Sequence, residues 1–291
     1  MIVVFGSINV DLIIPVPRLP TAGETVLGGD YALLPGGKGA NQALAARRAG
    51  AEVVMAGAVG ADPFAGLALD LLRGDGVDTR LVRVVGGPTG CAAIMVSSEG
   101  ENTIAVAPGA NASARSDQVP DELLCAGTTL VAQMEVPPSE TAMLIKRLRT
   151  RGGYSLLNLA PALPIDIALL GEIDLVVANE GEAAATGSDP AQLACRPRQG
   201  LVVTRGGGAG DSPRWSKNRG AGARDRAGRH HRRRRYLCWR SRSGARSGLT
   251  PGSCPVHRAS AAAGLACLAR GAQTAMPDGT AIAAAVSRLR L

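Results

Sequence analysis

The chain has 291 residues, of which 46% are hydrophobic and 2% aromatic, and its formal net charge is +8. This length allows one large α/β domain, alone or with a small appendage, with a core built from Ala, Val, Leu and Ile. No run of about 18 apolar residues is present, so we expect no membrane span. The apolar first residues lack a basic segment and predict a strand rather than a signal peptide. The six cysteines are scattered without a C-x-x-C pair, which is typical of reduced thiols in a cytoplasmic protein.

The positive charge is concentrated in residues 211–258. This segment contains 14 of the 32 Lys and Arg residues and 2 of the 24 Asp and Glu residues, a local net charge of +12 that leaves −4 for the rest. It also contains all three His and both Trp residues, and it has neither a helical nor a strand period and no apolar run that would supply a strand. We therefore expect residues 211–258 to be disordered and to lie outside the packed core.

Strand-like and helix-like segments alternate along most of the chain. Strands are predicted at residues 1–5, 51–59, 79–85, 128–136, 154–159, 173–178 and 200–204. Helices are predicted at residues 43–49, 63–72, 139–149, 259–268 and 281–289, and directly after residue 182. Residues 12–34 and 91–106 alternate with period two around turns and predict antiparallel strands of a small separate sheet. Together these patterns predict a parallel sheet covered by helices on both faces, plus that small sheet.

Polar side chains follow the predicted first strand. Asn9 and Asp11 are two residues apart, so on an extended backbone they share a face and could bind hydroxyl groups together. Their alternative role is to stabilise a turn. Ligands of α/β proteins bind at the carboxyl ends of parallel strands, and Asn9 and Asp11 follow such a strand end. Their position is therefore compatible with ligand binding, but the two residues alone favour neither role.

A glycine-rich turn, Gly36-Gly37-Lys38-Gly39, precedes a predicted helix. Such a turn can present backbone N–H groups and the helix dipole to a polar ligand, or it can be a plain tight turn. It is not a Walker P-loop, because no Ser or Thr follows Lys38.

Two acidic residues stand at the ends of predicted strands further along the chain. Glu135 follows an apolar strand, where an unpaired buried carboxylate is costly, so its position favours a functional role. Glu182 lies in the first turn of a predicted helix, where the helix dipole stabilises any carboxylate.

Several motifs occur in a fixed order over residues 1–207: Gly6-Ser7-Ile8-Asn9-Val10-Asp11, Pro20-Thr21-Ala22-Gly23-Glu24-Thr25, Gly36-Gly37-Lys38-Gly39-Ala40-Asn41-Gln42-Ala43, Pro108-Gly109-Ala110-Asn111, Gln133-Met134-Glu135-Val136-Pro137, Asn158-Leu159-Ala160-Pro161-Ala162, Asn179-Glu180-Gly181-Glu182 and Val203-Thr204-Arg205-Gly206-Gly207. With these motifs the chain resembles the ribokinase-like carbohydrate kinase family, and the third motif favours the ribokinases within it. Residues 259–278 are also similar to the family.

The resemblance implies an αβα sandwich with a mostly parallel central sheet and a β-sheet lid formed by residues 12–34 and 91–106. It implies transfer of the ATP γ-phosphoryl group to the 5-hydroxyl of ribose or a related pentose. The residues implied to bind the sugar are Asn9, Asp11, Gly37, Lys38, Asn41 and Glu135. Those implied to bind ATP are Asn179, Thr204, Arg205, Gly206 and Gly207, with Asn179 and Glu182 acting indirectly on Mg²⁺. A monovalent cation such as K⁺ is also implied, without an assignable site, and a homodimer formed through the lid is compatible with the resemblance.

The family's catalytic motif, D-T-x-G-A-G-D, is missing from this chain. Its last Asp is the base, and the motif is expected about thirty residues beyond Thr204, inside residues 211–258. Asp211 ends a literal Gly208-Ala209-Gly210-Asp211, but the preceding D-T-x is absent and Pro213 interrupts any following helix. We therefore do not expect Asp211 to be the base.

A shift of one nucleotide in the reading frame restores the motif. Residues 229–239 can be encoded so that the shifted frame reads D-T-T-G-A-G-D-T-F-V-G. In that frame the last two bases of the Trp239 codon and the first base of a following Arg CGN codon form GGC, which encodes Gly. The residue at this position therefore does not depend on codon choice. We therefore hypothesise two compensating frameshifts, near residues 207–211 and 257–258.

Other roles remain open for the printed segment. Arg232-Arg233-Arg234-Arg235 is typical of nucleic-acid or localisation patches, although basic runs are only compositional signals, and we expect no nucleic-acid partner. Cys238, Cys254 and His257 could be zinc ligands, but no C-x-x-C pair supports them. Three hypotheses follow: an active sugar kinase with a misread segment, a sugar-binding protein without catalysis, and a basic nucleic-acid binder.

Overall fold

The computed structural model describes residues 1–187, 193–204, 237–241, 272–274 and 276–287, with residues 237–241 and 285–287 described by their backbone. An eight-stranded sheet runs through the centre in the order β12-β11-β10-β9-β8-β1-β4-β5. Its strands are β1 (Ile2–Phe5), β4 (Val53–Gly60), β5 (Asp78–Val85), β8 (Thr129–Ala132), β9 (Tyr154–Asn158), β10 (Leu175–Asn179), β11 (Gly200–Thr204) and β12 (Leu237–Ser241). All neighbouring pairs are parallel except β11 and β12.

The first five described helices each lead into a parallel strand of the eight-stranded sheet, and the sixth follows β12. They are α1 (Lys38–Arg48), α2 (Pro63–Gly74), α3 (Pro138–Thr150), α4 (Ile167–Leu170), α5 (Glu180–Ala185) and α6 (Gly279–Ser287). One apolar cluster packs residues of α1 and α2 against the sheet, and a second contains residues of α3, α4 and α5. Connections between parallel strands are right-handed, so successive strands added toward one edge of the sheet place their helices on one face. Strands added toward the other edge place theirs on the opposite face. The result is the expected αβα sandwich.

A second, four-stranded sheet has the order β3-β2-β6-β7. It contains β2 (Asn9–Val16), β3 (Ala32–Gly36), β6 (Gly90–Ser97) and β7 (Asn102–Ala107). The two hairpin-like pairs are antiparallel, as expected, but β2 and β6 are parallel, so the sheet is mixed. All six residues of β7 are exposed.

The predicted core composition is correct: among the described residues, Phe5 is the one aromatic side chain in the buried core, which otherwise consists mainly of Val, Leu, Ile and Ala. No helix of the described ranges is long and apolar enough to cross a membrane.

Two predicted elements differ from the structure. The strand predicted at residues 128–136 ends at Ala132, and Met134 N–H beyond it donates to Ala160 O, just past the end of the neighbouring strand β9, at 3.0 Å. We predicted no strand within residues 211–258. This prediction is wrong, because Leu237–Ser241 pairs with β11 along its whole length. An edge strand can pair wherever the neighbouring strand has unpaired backbone groups, and a search of the sequence for apolar runs does not detect this. The helix predicted at residues 259–268 lies outside the described residues.

Candidate functional site

Polar residues from three separate segments meet beyond the carboxyl ends of β1 and β8. β1 leads through Ser7 into Asn9 and Asp11, β3 leads into Gly37 and Lys38, and β8 leads into Glu135. Because β1 and β8 are parallel neighbours, their carboxyl ends lie side by side. The site is therefore assembled by the topology of the sheet.

The glycine-rich turn permits the start of α1 to pack directly on the backbone that follows β1. Gly37 has φ +89°, and a Cβ there would lie 2.7 Å from the Asn9 nitrogen and 2.8 Å from the Ser7 oxygen. A Cβ on Gly39 would lie 2.7 Å from both the Gly6 carbonyl carbon and the Ser7 nitrogen. Since real Cβ atoms do not approach backbone so closely, glycine is required at both positions.

The first N–H groups of α1 are already satisfied by the protein. Lys38 N–H donates to Glu135 Oε2 at 3.2 Å, Gly39 N–H donates to Ser7 Oγ at 3.3 Å, and Ala40 N–H donates to the Ser7 carbonyl at 2.9 Å. The helix start therefore binds a carboxylate of the chain itself, and the N–H groups of these three residues are not free for a ligand.

Glu135 connects the segments of the site. Its Oε2 accepts the Ser7 hydroxyl at 2.5 Å as well as Lys38 N–H, and its Oε1 lies 3.9 Å from Lys38 Nζ. The Glu135 side chain is 12% exposed, whereas that of Lys38 is 38% exposed. The carboxylate is thus fixed from one side, while the ammonium group remains accessible to a polar ligand.

Asn9 is held by a residue that the sequence analysis did not single out. Asn111 Nδ2 donates to Asn9 Oδ1 at 2.7 Å and to the Ile8 carbonyl at 3.3 Å, while Asn111 Oδ1 accepts Ile8 N–H at 2.9 Å. Gly90, which is paired with Asn9, leaves the space that these two amides fill. Asn9 and Asn111 are 2% and 1% exposed, so Asn111 fixes the orientation of the Asn9 amide. The P-G-A-N motif was the available signal for Asn111.

Asp11 faces the same space. Its carboxylate lies over Gly36, where a Cβ would collide with it. The pKa of Asp11 is raised from 3.8 to about 6, mainly by burial and also by the negative charge of Glu135, while Lys38 partly offsets both effects. The site therefore contains one carboxyl group that changes charge just below neutral pH.

Two further side chains of the region carry buried oxygens without partners. Asn41 Oδ1 and Gln133 Oε1 accept no hydrogen bond from the described residues, although Gln133 Nε2 donates to Gln42 Oε1 at 2.8 Å. Buried acceptors normally have a donor, so these two amide oxygens are exceptions among the described residues.

The residues assigned to ATP and metal lie at the carboxyl ends of β10 and β11. Asn179 and Thr204 are register partners, which places them side by side. Asn179 N–H donates to Glu182 Oε2 at 2.8 Å, and Glu182 N–H donates to Asn179 Oδ1 at 2.7 Å, a capping box that begins α5. Arg205, Gly206, Gly207 and Asp211 lie outside the described residues.

These residues do not by themselves form a protein-held magnesium site. The capping box uses the Asn179 oxygen and one oxygen of Glu182, and no cluster of three His, Cys, Asp or Glu side chains that could hold a metal occurs within the described ranges. Magnesium typically keeps several waters and binds largely through substrate phosphates, so such an ion would belong with the nucleotide.

Known proteins are similar to this chain. Two curated relatives are the ribokinase of Haemophilus influenzae, 37% identical over 184 residues (62% of this chain and 60% of the relative), and that of Bacillus subtilis, 36% identical over 189 residues (63% of each). The chain thus matches about 60% of the length of these relatives.

The fold is shared with two solved structures. One is the ribokinase of Thermotoga maritima, with a TM-score of 0.76, 20% identity and 99% of each chain covered. The other is the Arabidopsis thaliana ribokinase complexed with ribose and ATP, with a TM-score of 0.72, 24% identity and 98% of each chain covered. A family model described as pfkB family carbohydrate kinase matches residues 1–207. The chain therefore belongs to the pfkB family of carbohydrate kinases.

Proposed function

We propose that this chain binds D-ribose or a closely related pentose, and that the complete enzyme transfers the γ-phosphoryl group of ATP to the sugar's 5-hydroxyl in the cytoplasm. The observation that carries the proposal is the convergence of Asn9, Asp11, Lys38 and Glu135 from separate segments on one polar space. The relatives named as ribokinases, and the Arabidopsis structure with ribose and ATP, support the choice of sugar and phosphoryl donor.

The chemistry of these side chains suits a polyhydroxylated ligand. Ionised Asp11 and Glu135 accept hydrogen bonds from hydroxyl groups, and Lys38 Nζ donates to hydroxyl oxygens. Asn9 is oriented by Asn111, so its amide nitrogen is positioned before the sugar arrives. Gly37 belongs to the site because a side chain there would displace Asn9.

Catalysis needs a base near the attacking hydroxyl and donors for the transferred phosphoryl group. We propose that the reading frame of residues 211–258 is shifted, and that the restored D-T-T-G-A-G-D motif supplies the base at the position of Arg235. Thr204 and Arg205-Gly206-Gly207 would bind the nucleotide, and Mg²⁺ would neutralise charge on its phosphates.

Two proteins distinguish catalysis from binding: the printed chain, and the chain expressed from a gene with both frameshifts reversed. Intact mass and gene sequencing establish which of them the organism makes. We expect both to bind ribose in isothermal titration calorimetry. Only the restored chain is expected to convert ATP and ribose to ADP and ribose 5-phosphate, because losing base and anion donors together costs about 10³-fold or more in rate.

The results of that comparison separate three functions. Absence of ribose binding by both proteins contradicts the sugar site. Ribose binding without turnover by both leaves a sugar-binding protein. Equal turnover by both shows that the printed segment supplies its own base and refutes the frameshift proposal. Salt-dependent DNA binding that is lost on deleting residues 211–258 would instead support a nucleic-acid binder.

We also propose that the second sheet acts as a lid and pairs with a second copy of the chain. Large apolar side chains are exposed on or beside it, namely Leu27 (88%), Tyr31 (66%), Ile104 (52%) and Val106 (47%). Light scattering on the purified protein is expected to give a dimer that Ile104→Lys shifts toward monomer. A monomer at all concentrations contradicts this proposal.

A further inference from the structure

The side chain of Gln273 reaches the glycine-rich turn that precedes α1, although the two lie far apart in the sequence. Gln273 Nε2 donates to the Gly36 carbonyl oxygen at 3.2 Å, across 237 positions of the chain. Gln273 is fully buried. Because a carbonyl oxygen only accepts hydrogen bonds, the amide nitrogen and not the amide oxygen faces Gly36. A residue that follows residues 211–258 therefore bonds directly to this turn.

The backbone around Gln273 is anchored to the last turn of α1. Arg48 Nη1 donates to the Gln273 carbonyl at 2.9 Å and to the Met276 carbonyl at 2.8 Å. Arg48 Nε also pairs with the Asp75 carboxylate at 2.5 Å, which fixes the guanidinium group. Met276 packs against the apolar cluster that contains residues of α1 and α2. The backbone of Gln273 is thus held in place, so its side chain is preorganised to bind Gly36.

The peptide that Gln273 binds lies between two glycines. Gly36 and Gly37 both lack a Cβ, so the peptide between them can rotate at little steric cost, and Gly37 has φ +89°. This peptide belongs to the proposed sugar site, because Gly36 is the register partner of Asn9 and the Asp11 carboxylate lies over it. A rotation of the peptide would displace Gly37 from the Asn9 backbone on which it packs.

We propose that Gln273 is a positioning residue of the proposed sugar site: its amide holds the Gly36 carbonyl and so keeps the glycine-rich turn in the orientation that binds the sugar. This role rests on the proposed function of the site. Gln273 acts through Gly36 and does not contact the sugar. Without the hydrogen bond, a fraction of the molecules has the turn in another orientation, and the apparent affinity for the sugar falls by that fraction.

The test compares Gln273→Met with the original full chain. Methionine has a similar length and no donor, so the Gly36 carbonyl loses this partner. We expect ribose affinity in isothermal titration calorimetry to fall roughly threefold to tenfold, the range of one neutral hydrogen bond. The backbone ¹⁵N resonance of Gly37 is expected to shift, because this nitrogen belongs to the same peptide as the Gly36 carbonyl.

Asp278→Ala is the matched control in the same part of the chain. Asp278 Oδ1 accepts Ala281 N–H at 2.7 Å at the start of α6, so the substitution removes a helix cap and leaves the bond to Gly36 intact. In urea denaturation we expect both variants to be less stable than the original chain. Only Gln273→Met is expected to bind ribose more weakly and to shift the Gly37 resonance. If Gln273→Met fails to fold, Gln273→Asn, which is polar but one methylene shorter, decides by the same measurements.

Several results would overturn the proposal. Unchanged ribose affinity in the folded Gln273→Met variant would do so and would leave the proposed sugar kinase function intact. An equal loss of affinity in Asp278→Ala would do so as well, because general destabilisation would then explain the effect. An unmoved Gly37 resonance would show that the turn does not depend on Gln273. Absence of ribose binding by the original chain would instead contradict the proposed function itself, and with it any role of Gln273 in sugar binding.

Discussion

Replacing Asp11 by Asn tests the electrostatics of the proposed sugar site without changing its shape. The pKa of Asp11 rises from 3.8 to about 6 through burial and the charge of Glu135. A group whose folded pKa is raised binds more protons in the folded state, so the folded state loses stability as pH rises from about 4 to about 6. The full difference corresponds to about 3 kcal/mol. Because Asp11 is only half-buried, solvent screening reduces this to roughly 1–2 kcal/mol.

The assay is urea denaturation of the original chain and of Asp11→Asn at a series of pH values from 4 to 7.5. The two proteins are expected to be about equally stable near pH 4, where Asp11 is neutral. Near pH 7.5 the variant is expected to be more stable by roughly 1–2 kcal/mol, because it lacks the buried charge. Ribose affinity of the original chain is expected to rise over the same pH interval, since ionised Asp11 is the better acceptor.

Asp70→Asn, at an exposed position of α2, is the matched control and is expected to show no such difference. A stability difference between Asp11→Asn and the original chain that stays constant from pH 4 to pH 7.5 would refute the reasoning, because the variant would then act through shape or hydrogen bonding alone.

Four further substitutions, one of them a control, test the construction of the site by urea denaturation and ribose titration. Gly39→Ala is expected to cost about 2 kcal/mol or more, because its Cβ would lie 2.7 Å from backbone atoms of Gly6 and Ser7. Gly66→Ala meets no atom within 4 Å in α2 and is expected to stabilise by roughly 0.5–1 kcal/mol, and equal effects would contradict the close-approach argument. Asn111→Leu is expected to cost about 2–3 kcal/mol and to weaken ribose binding, and unchanged ribose affinity would show that Asn9 keeps its orientation unaided. Asn179→Ala is expected to cost about 1 kcal/mol through loss of the capping box while ribose affinity stays the same, and a large loss of ribose affinity would point to a direct role in the sugar site.

The sequence predicted a site residue mainly where the neighbouring residues alone showed that its position is energetically unfavourable. Glu135 was singled out because an apolar strand leads to a carboxylate, and the structure gives this carboxylate three partners: the Ser7 hydroxyl, Lys38 N–H and Lys38 Nζ. Glu182 was assigned both a structural and a metal role, and its contacts are those of a capping box. A local pattern could not decide between them, because an acidic residue in a first helical turn satisfies both descriptions.

Tertiary contacts decided what the glycine turn does. From sequence, Gly36-Gly37-Lys38-Gly39 was compatible with a ligand cradle or a tight turn. In the structure the first N–H groups of α1 donate hydrogen bonds to Glu135 and Ser7. Each of these residues is more than thirty positions away along the chain, so no local pattern contains them.

The sequence by itself determined the alternation of strands and helices, the Ala-, Val-, Leu- and Ile-rich core and the order of the motifs, because hydrophobic period and turn chemistry are local properties. Only the tertiary structure decided that Asn111 orients Asn9, that Asp11 titrates near pH 6 and that Gln273 bonds to Gly36. Hydrogen bonding, desolvation and packing depend on which distant residues meet, and this is set by the pairing order of the strands.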